Sequence, residues 1–373
     1  MAIVSTATTL GALPCSADQE PQTFSSQVSL VTVDVVVTDG HGRPVSGLVA
    51  SDFRVTEEGR PQSIVTFRAI GSSLTSSERR PAESDTTSTG LSAPTFHDSA
   101  AGGATFVIVF DDLHLQPLQT KAAVSAIEGF VANRVVSSDT LVLVAPDAGV
   151  HVVSRDGTDR LGLLAVLRRL EGRKIVDPCQ RLTEFEAMRS ALGSDDVTTR
   201  RPSRFRENTA CPGGSSMDAA AIHRESQHRD KVALDALTAV LQTLDDTGGK
   251  RSVLLVSGGF IEDPTLQEAT RSLLRNALRL QAVLYFIDVR GLVGFFETEK
   301  TGGAVSLAEE SAGAERLAQD TGGFSIHDTN GVAGGMDRIA GEGRAYYLIG
   351  YSPGDSAKGT GFRRIKVRVE SLA

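Results

Sequence analysis

The chain has 373 residues, hydrophobic residues make up 40% of them, and the formal net charge is -8 at pH 7. At roughly 150 residues per domain, this length favours two domains. A net negative charge gives no electrostatic field that would attract nucleic acid or an anionic membrane, so nucleic acid is excluded as the expected partner. Beyond the N-terminal stretch, no apolar run approaches the roughly 18 residues of a membrane-spanning helix, and we expect no transmembrane segment.

Residues 1–23 are predicted to be a signal-like or disordered N-terminus. The apolar stretch MAIVSTATTLGAL at 1–13 resembles the core of a signal peptide, but no Lys or Arg precedes it. Either a true start lies upstream or this is an ordinary disordered terminus. A third interpretation makes Cys15 a lipid-carrying cysteine, although Pro14 departs from the small residue expected before such a site.

Residues 24–70 are predicted to form a small antiparallel β-domain. The stretch VSLVTVDVVVT at 28–38 alternates apolar and polar residues, which is typical of a half-buried strand. DFRVTEEG at 52–59 and RPQSIVTFRAI at 60–70 continue with short strands between Gly and Pro turns. Their edges must pair with further strands of the unit or with the neighbouring domain. Residues 71–102, rich in Ser, Thr and Pro, are predicted to be a linker.

Residues 103–373 are predicted to form an α/β domain. FVIVF at 106–110 is a continuous apolar run, as expected for a strand covered on both faces. Later predicted strands are 140–146, 149–154, 251–257, 282–289 and 324–326, and the predicted helices are 118–131, 159–172, 218–244, 264–280 and 306–320. This alternation predicts a doubly wound, mostly parallel sheet with 149–154 paired to 140–146 as a hairpin.

Two segments of this domain depart from the alternation. An insertion at about 173–215 contains Cys179 and Cys211, which would close a loop as a disulfide in an exported protein; two buried thiols are the alternative. The strands YYLIGYS at 346–352 and FRRIKVRVE at 362–370 flank a PGDSAKGTG turn and are predicted to form a closing C-terminal β-hairpin.

The candidate functional residues follow the core strands. Asp111, Asp112 and His114 come directly after the first core strand, and Ser257 ends a later one. Because ligands bind outside the carboxyl ends of strands in such sheets, we expect these four residues to line one crevice. Asp288 ends another strand and is a further candidate at that edge. The alternative for the carboxylates is to cap the following helices and to solvate the crevice.

Several motifs resemble a known family. FVIVFDDLH, RSVLLVSGGF, AVLYFIDVRG and LAQDTGGFS occur in the order and spacing of a von Willebrand factor type A (vWA) domain. With VDVVVTDGHGRPVSGLVASDFRVTEEGRPQSIVTF before them and RAYYLIGYSPGD and GFRRIKVRVE after them, residues 28–370 resemble the VWFA-related proteins abundant in Acidobacteria. The resemblance implies a vWA, Rossmann-like fold and a secreted or extracytoplasmic location in the periplasm or cell envelope.

The resemblance also implies a metal-ion-dependent adhesion site. Typical vWA domains bind Mg²⁺ through an Asp-x-Ser-x-Ser motif, a Thr and a later Asp, because hard oxygen ligands suit this ion. Here Leu113 and Leu115 stand at the serine positions after Asp111, and Ser257 with two glycines replaces the later acidic turn. The implied site is therefore degenerate, with Asp111 and Asp112 as the candidate ligands of Mg²⁺ or another divalent cation. No other cofactor is predicted.

The predicted function is an exported, adhesion-type binding module, and not an enzyme, that binds a protein or cell-surface component at this crevice. One alternative is a serine hydrolase-like enzyme that uses Ser257 with His114, although Leu255 stands where a nucleophile elbow has Gly. The other is a structural envelope module without a ligand site. His223 and His228 are five positions apart, which does not match the four-residue helical spacing of zinc ligands.

Overall fold

The computed structural model describes residues 30–40, 42–71, 103–154, 159–177, 180, 182–193, 219–244, 250–292, 304–327, 332–353 and 363–370. The predictions for the N-terminus with Cys15, for the linker and for the disulfide between Cys179 and Cys211 lie outside these ranges. Within them, each helix is too short or too polar to cross a lipid bilayer.

The described residues form twelve strands and seven helices, which are numbered in chain order. The strands are β1 (Val31–Val35), β2 (Phe53–Glu57), β3 (Arg60–Gln62), β4 (Ile64–Ile70), β5 (Thr105–Phe110), β6 (Thr140–Ala145), β7 (Val150–Ser154), β8 (Arg251–Ser257), β9 (Ala282–Asp288), β10 (Ser325–Ile326), β11 (Tyr346–Tyr351) and β12 (Ile365–Val369). The helices are α1 (Thr120–Arg134), α2 (Arg160–Leu167), α3 (Glu184–Ala191), α4 (Ala219–Thr243), α5 (Gln267–Arg279), α6 (Ala304–Asp320) and α7 (Val332–Arg344).

The central sheet has six strands in the order β10-β9-β8-β5-β6-β7. All neighbours pair in parallel except β7, which forms an antiparallel hairpin with β6 as predicted. Every residue of β5 and β8 is buried, as expected for strands covered on both faces. Side chains of β5 alternate between two cores: Phe106 and Ile108 pack with α1, α2 and α7, while Val107 and Val109 pack with α4, α5 and α6. The predicted α/β class with a mostly parallel sheet is confirmed.

Two small antiparallel sheets lie at the chain ends, in the orders β1-β11-β4 and β12-β2-β3. The predicted closing hairpin of β11 with β12 is therefore wrong. Strand β11 pairs on both sides, with β1 and β4, and β12 pairs with β2. The reason is that the N-terminal strands need partners for their edges, and the C-terminal strands supply them. Phe53, Phe67 and Tyr347 form the aromatic centre between these sheets, with ring centroids 5.1–5.7 Å apart.

Helix α7 is absent from the sequence-based prediction because glycine is a poor helix former. Its sequence, VAGGMDRIAGEGR, contains four glycines. Two of them lie where a side chain would meet the sheet: a Cβ on Gly335 would lie 2.4 Å from Ile326 Cδ1, and one on Gly343 would lie 3.2 Å from Phe106 Cε1. The glycines therefore allow a close approach of helix and sheet, and tertiary packing outweighs the low propensity.

Candidate functional site

Asp111 and Ser257 lie side by side at the carboxyl edge of the central sheet. Asp111 is the first residue after β5, and Ser257 is the last residue of the neighbouring parallel strand β8. The Ser257 hydroxyl donates a hydrogen bond of 2.6 Å to Asp111 Oδ2, and the Gly259 amide donates one of 2.9 Å to Ser257 Oγ. The backbone amide of Asp111 also donates to the carbonyl of Val256 at 3.0 Å. The strand ends thus hold both side chains in place, as the sequence predicts.

His114 joins this pair to helix α4. Its backbone amide donates to the Asp111 carbonyl, which turns the chain back toward the strand end. Ring atom Nδ1 lies 2.8 Å from Asp111 Oδ2, and Nε2 lies 2.9 Å from Asp230 Oδ1. The Phe260 ring covers the imidazole, with centroids 5.7 Å apart. Asp111, His114 and Asp230 are each at most 1% exposed, so water does not compete for these contacts.

The two carboxylates keep His114 protonated. Burial disfavours the imidazolium, but Asp111 and Asp230 outweigh it and raise the pKa of His114 to about 9. Burial would raise the pKa of Asp111, yet His114 and Ser257 together lower it below its ordinary value. For Asp230, burial raises the pKa against the opposing hydrogen bond from His114. At neutral pH the site therefore holds a buried imidazolium between two acidic side chains.

Asp112 directs its carboxylate to a different part of the chain. Its oxygens accept hydrogen bonds from the backbone amides of Asp147 at 3.1 Å and Ala148 at 2.7 Å, in the turn between β6 and β7. Its carbonyl accepts a hydrogen bond of 2.7 Å from the Arg173 amide. Burial raises the pKa of Asp112 above its ordinary value, although the hydrogen bonds from the two backbone amides oppose this rise. Asp112 thus fastens two loops at the carboxyl edge of the sheet. Asp111, Asp112, His114 and Ser257 are each at most 1% exposed, so they lie beneath the surface of this edge and do not line an open crevice.

Asp288 belongs to a neighbouring ion pair. Register places it beside Ser257, at the end of β9. Its carboxylate lies 2.7 Å from an Arg290 nitrogen and 3.7 Å from His327 Nδ1. Burial opposes ionisation, but His327 and Arg290 lower the pKa of Asp288. Asp288 therefore shares the sheet edge with Asp111 and binds other partners.

Asp230 is the residue of the candidate site that the sequence-based prediction missed. It lies near the middle of α4, where the buried positions include Ile222, Ser226, Asp230, Leu234 and Leu237. Their spacing is that of the inward face of a helix. A carboxylate on such a face requires a buried partner, and this signal would have identified Asp230. His223, by contrast, pairs with Asp263 at 2.8 Å, and His228 is exposed on the same helix.

The residues present do not fit a Mg²⁺ ion. This ion requires near-octahedral oxygen ligands with several waters. Both oxygens of Asp111 already face donors, those of Asp112 accept backbone amides, and the neighbouring His114 carries the positive charge. Among the described residues, no group of three or more His, Cys, Asp or Glu side chains is arranged to hold a metal.

The geometry also differs from that of a catalytic serine and its base. A nucleophile of this kind donates its proton to a histidine that a carboxylate orients. Ser257 instead donates to Asp111, and both ring nitrogens of His114 face carboxylates. Ser257 and His114 are at most 1% exposed, so substrate has no direct access to them.

No protein-family model matches the chain, and a search of curated proteins finds no match.

Proposed function

We propose that this chain is an exported, non-enzymatic interaction module with a vWA-like α/β domain, and that it binds a protein or cell-surface component at the carboxyl edge of its central sheet without a divalent cation. The observation that carries the proposal is the contact of His114 with both Asp111 and Asp230, at 2.8 and 2.9 Å. Export and the vWA-like fold rest on the family resemblance. The apolar stretch at 1–13 adds support for export.

The imidazolium of His114 determines which side chains can contact a partner. In a metal-dependent adhesion site the ion leaves a position open for a carboxylate of the partner. Here the imidazolium of His114 pairs with Asp111 inside the protein. No metal ion with an open coordination position is therefore left for a carboxylate of the partner. Contact must therefore come from the exposed side chains around this edge of the sheet, which form its rim.

The same network preorganises that rim. His114 fastens the turn after β5 to α4, Ser257 fastens the end of β8, and Asp112 fastens the β6–β7 turn. Loops that are already ordered lose less conformational entropy when a partner binds. Charged side chains that remain exposed at this edge include Asp147, Arg173 and Glu262, and Asp147 and Arg173 pair with each other.

Site-specific photo-crosslinking tests the location of binding. A photoreactive residue would replace Glu262 at this rim. A matched control would replace Ser137, which is exposed before β6 at the opposite edge of the sheet. The purified variants would be added to intact cells of the source organism. We expect a defined crosslinked partner from position 262 only, with equal yield in EDTA. A crosslink that is equal at both positions, or none at either, would refute the proposed surface, and the second outcome would favour a structural module.

Calorimetric titration with Mg²⁺, Mn²⁺ and Ca²⁺ tests the independence from metal. The wild-type chain and Asp111→Ala would be compared under the same conditions. We expect no saturable heat that depends on Asp111. Saturable binding that disappears in the variant would restore the metal-dependent adhesion mechanism.

A further inference from the structure

A pocket next to His114 has no role in the network described above. It has a volume of about 350 Å³ and lies between α4, the loop after β8, α5 and α6. This volume falls at the lower end of the range of ligand sites. Much of its wall is apolar and includes Leu234, Phe260, Ile261 and Leu266, while Asp230, Glu262, Asp263 and Arg316 supply charged groups.

The carboxylate of Asp230 in this wall is only half satisfied. Oδ1 faces His114 Nε2, but Oδ2 is buried and has no hydrogen-bond donor among the described residues. A buried acceptor without a donor destabilises the folded state, and the destabilisation is larger when the acceptor is charged. A site with such an acceptor favours a ligand that brings a donor.

Of the other charged groups of the pocket, Asp263 and Arg316 have partners and Glu262 is exposed to water. Asp263 accepts from His223 at 2.8 Å and from the Thr265 amide at 2.8 Å. Arg316 pairs with Asp320 at 2.9 Å and is exposed. Glu262 is exposed near the pocket and adds negative charge there. Among the charged groups that line the pocket, the buried acceptor without a donor is therefore Oδ2 of Asp230.

Charge decides which donor the pocket prefers. Three carboxyl groups line the pocket, those of Asp230, Glu262 and Asp263, against one guanidinium, that of Arg316. Buried charges are stable only when they are paired and hydrogen-bonded. A cation that reached Asp230 Oδ2 would satisfy the acceptor and balance the charge at once.

We propose that this pocket binds an aliphatic primary ammonium group, whose alkyl stem packs against Leu234, Phe260 and Leu266 and whose nitrogen donates to Asp230. A lysine side chain has this form, since its ammonium is a compact charge on a flexible four-carbon stem. If the proposed function holds, a lysine of the partner protein is the occupant. The amine site itself can be tested without any partner.

The first experiment compares two small probes on the full chain by calorimetry or ligand-observed NMR. N-acetyl-lysine-N-methylamide has the ammonium group, and N-acetyl-norleucine-N-methylamide has the same alkyl stem without it. We expect saturable binding of the lysine probe and binding at least about tenfold weaker for the norleucine probe, a difference of about 1.4 kcal/mol. Equal binding of the two would overturn the proposal. A free diamine as a third probe separates a small-molecule site from one that requires a peptide backbone.

Two variants test whether the lysine probe binds in this pocket. Asp230→Asn keeps an acceptor for His114 but replaces the free oxygen by an amide donor, so it should weaken the lysine probe at least about tenfold. Asp235→Asn, on the exposed side of the same helix, is the matched control and should change nothing. Thr270→Trp would fill the pocket from α5, with the exposed Arg271→Trp as its control. Probe binding that survives both Asp230→Asn and Thr270→Trp would overturn the proposal.

The outcomes are independent of those for the proposed function. If the crosslinks at position 262 appear but the lysine probe does not bind, only the amine site fails. If the probe binds but no partner crosslinks, the interaction module fails and the amine site stands.

Discussion

His114 Nε2 lies 2.9 Å from Asp230 Oδ1, a contact that spans 116 positions of the chain and joins the edge of the central sheet to helix α4. The other ring nitrogen lies 2.8 Å from Asp111 Oδ2, so one imidazolium links two carboxylates from different layers of the domain. All three side chains are withdrawn from water. Such a link is expensive to break, because each loss of a partner leaves a charge without compensation.

His114→Ala should therefore be strongly destabilising. Removal of the imidazolium leaves the buried carboxyl groups of Asp111 and Asp230 without the cation that lies between them. Breaking a buried ion pair in this way costs about 3–5 kcal/mol. The free energy of unfolding, measured with urea, checks the value. His228→Ala, an exposed position on α4, is the control and should change stability by less than about 0.5 kcal/mol. Equal effects of the two variants would contradict the role given to His114.

Stability should also fall in alkaline solution. The pKa of His114 rises from 6.5 to about 9 on folding, so the folded state binds the proton more tightly. The resulting stabilisation is complete below pH 6.5 and is lost as the pH rises through about 9; the shift corresponds to about 3 kcal/mol. The lowered pKa of Asp111 affects stability in acid. Its contribution to the free energy of unfolding is present above pH 3.8, the ordinary pKa of this side chain, and is lost as the pH falls further.

Unfolding free energies measured between pH 6 and 10 test this dependence. His114→Gln, which has no titrating group, is the reference for the other residues that lose protons in this range. We expect the wild-type curve to decline more steeply than that of the variant between pH 6.5 and 9. Parallel curves would show that His114 is not a buried imidazolium.

Ser257 should resist a fluorophosphonate probe. Its hydroxyl donates to Asp111 and is buried, so no general base activates it and no reagent reaches it in the folded state. Intact-mass spectrometry of the native protein after incubation with the probe should show no adduct that Ser257→Ala removes. An adduct at Ser257 would favour the hydrolase interpretation and contradict the geometry described here.

The sequence predicted the central sheet well because its signals are local. A continuous apolar run such as β5 can be buried only between two layers, and a carboxylate directly after it must lie at the sheet edge. The proximity of Asp111 and Ser257 followed from the same logic. The position of each depends only on where its own strand ends, and neighbouring parallel strands end together.

The predictions that failed, or that were not made, depend on contacts between distant segments. The strand pattern of β11 is correct, but no local feature indicates that its partners are β1 and β4, so the intervening Pro-Gly turn suggested a hairpin instead. Asp230 is far from His114 in sequence, and only its place on the inward face of α4 hints at a buried partner. Helix α7 contradicts its own propensity and exists because it packs on the sheet.

The glycines of α7 allow this packing to be tested at two adjacent positions. A Cβ added to Gly334 meets nothing within 4 Å, whereas one added to Gly335 lies 2.4 Å from Ile326 Cδ1. Both substitutions to Ala gain the same helix propensity, about 0.4–1 kcal/mol. Gly334→Ala should therefore stabilise by that amount, while Gly335→Ala should destabilise by about 1–2 kcal/mol, since overpacking costs about 1–3 kcal/mol. Chemical denaturation of the two variants measures both effects, and the difference between them isolates the contact with Ile326 from propensity. Stabilisation of equal size at both positions would mean that α7 does not lie against β10.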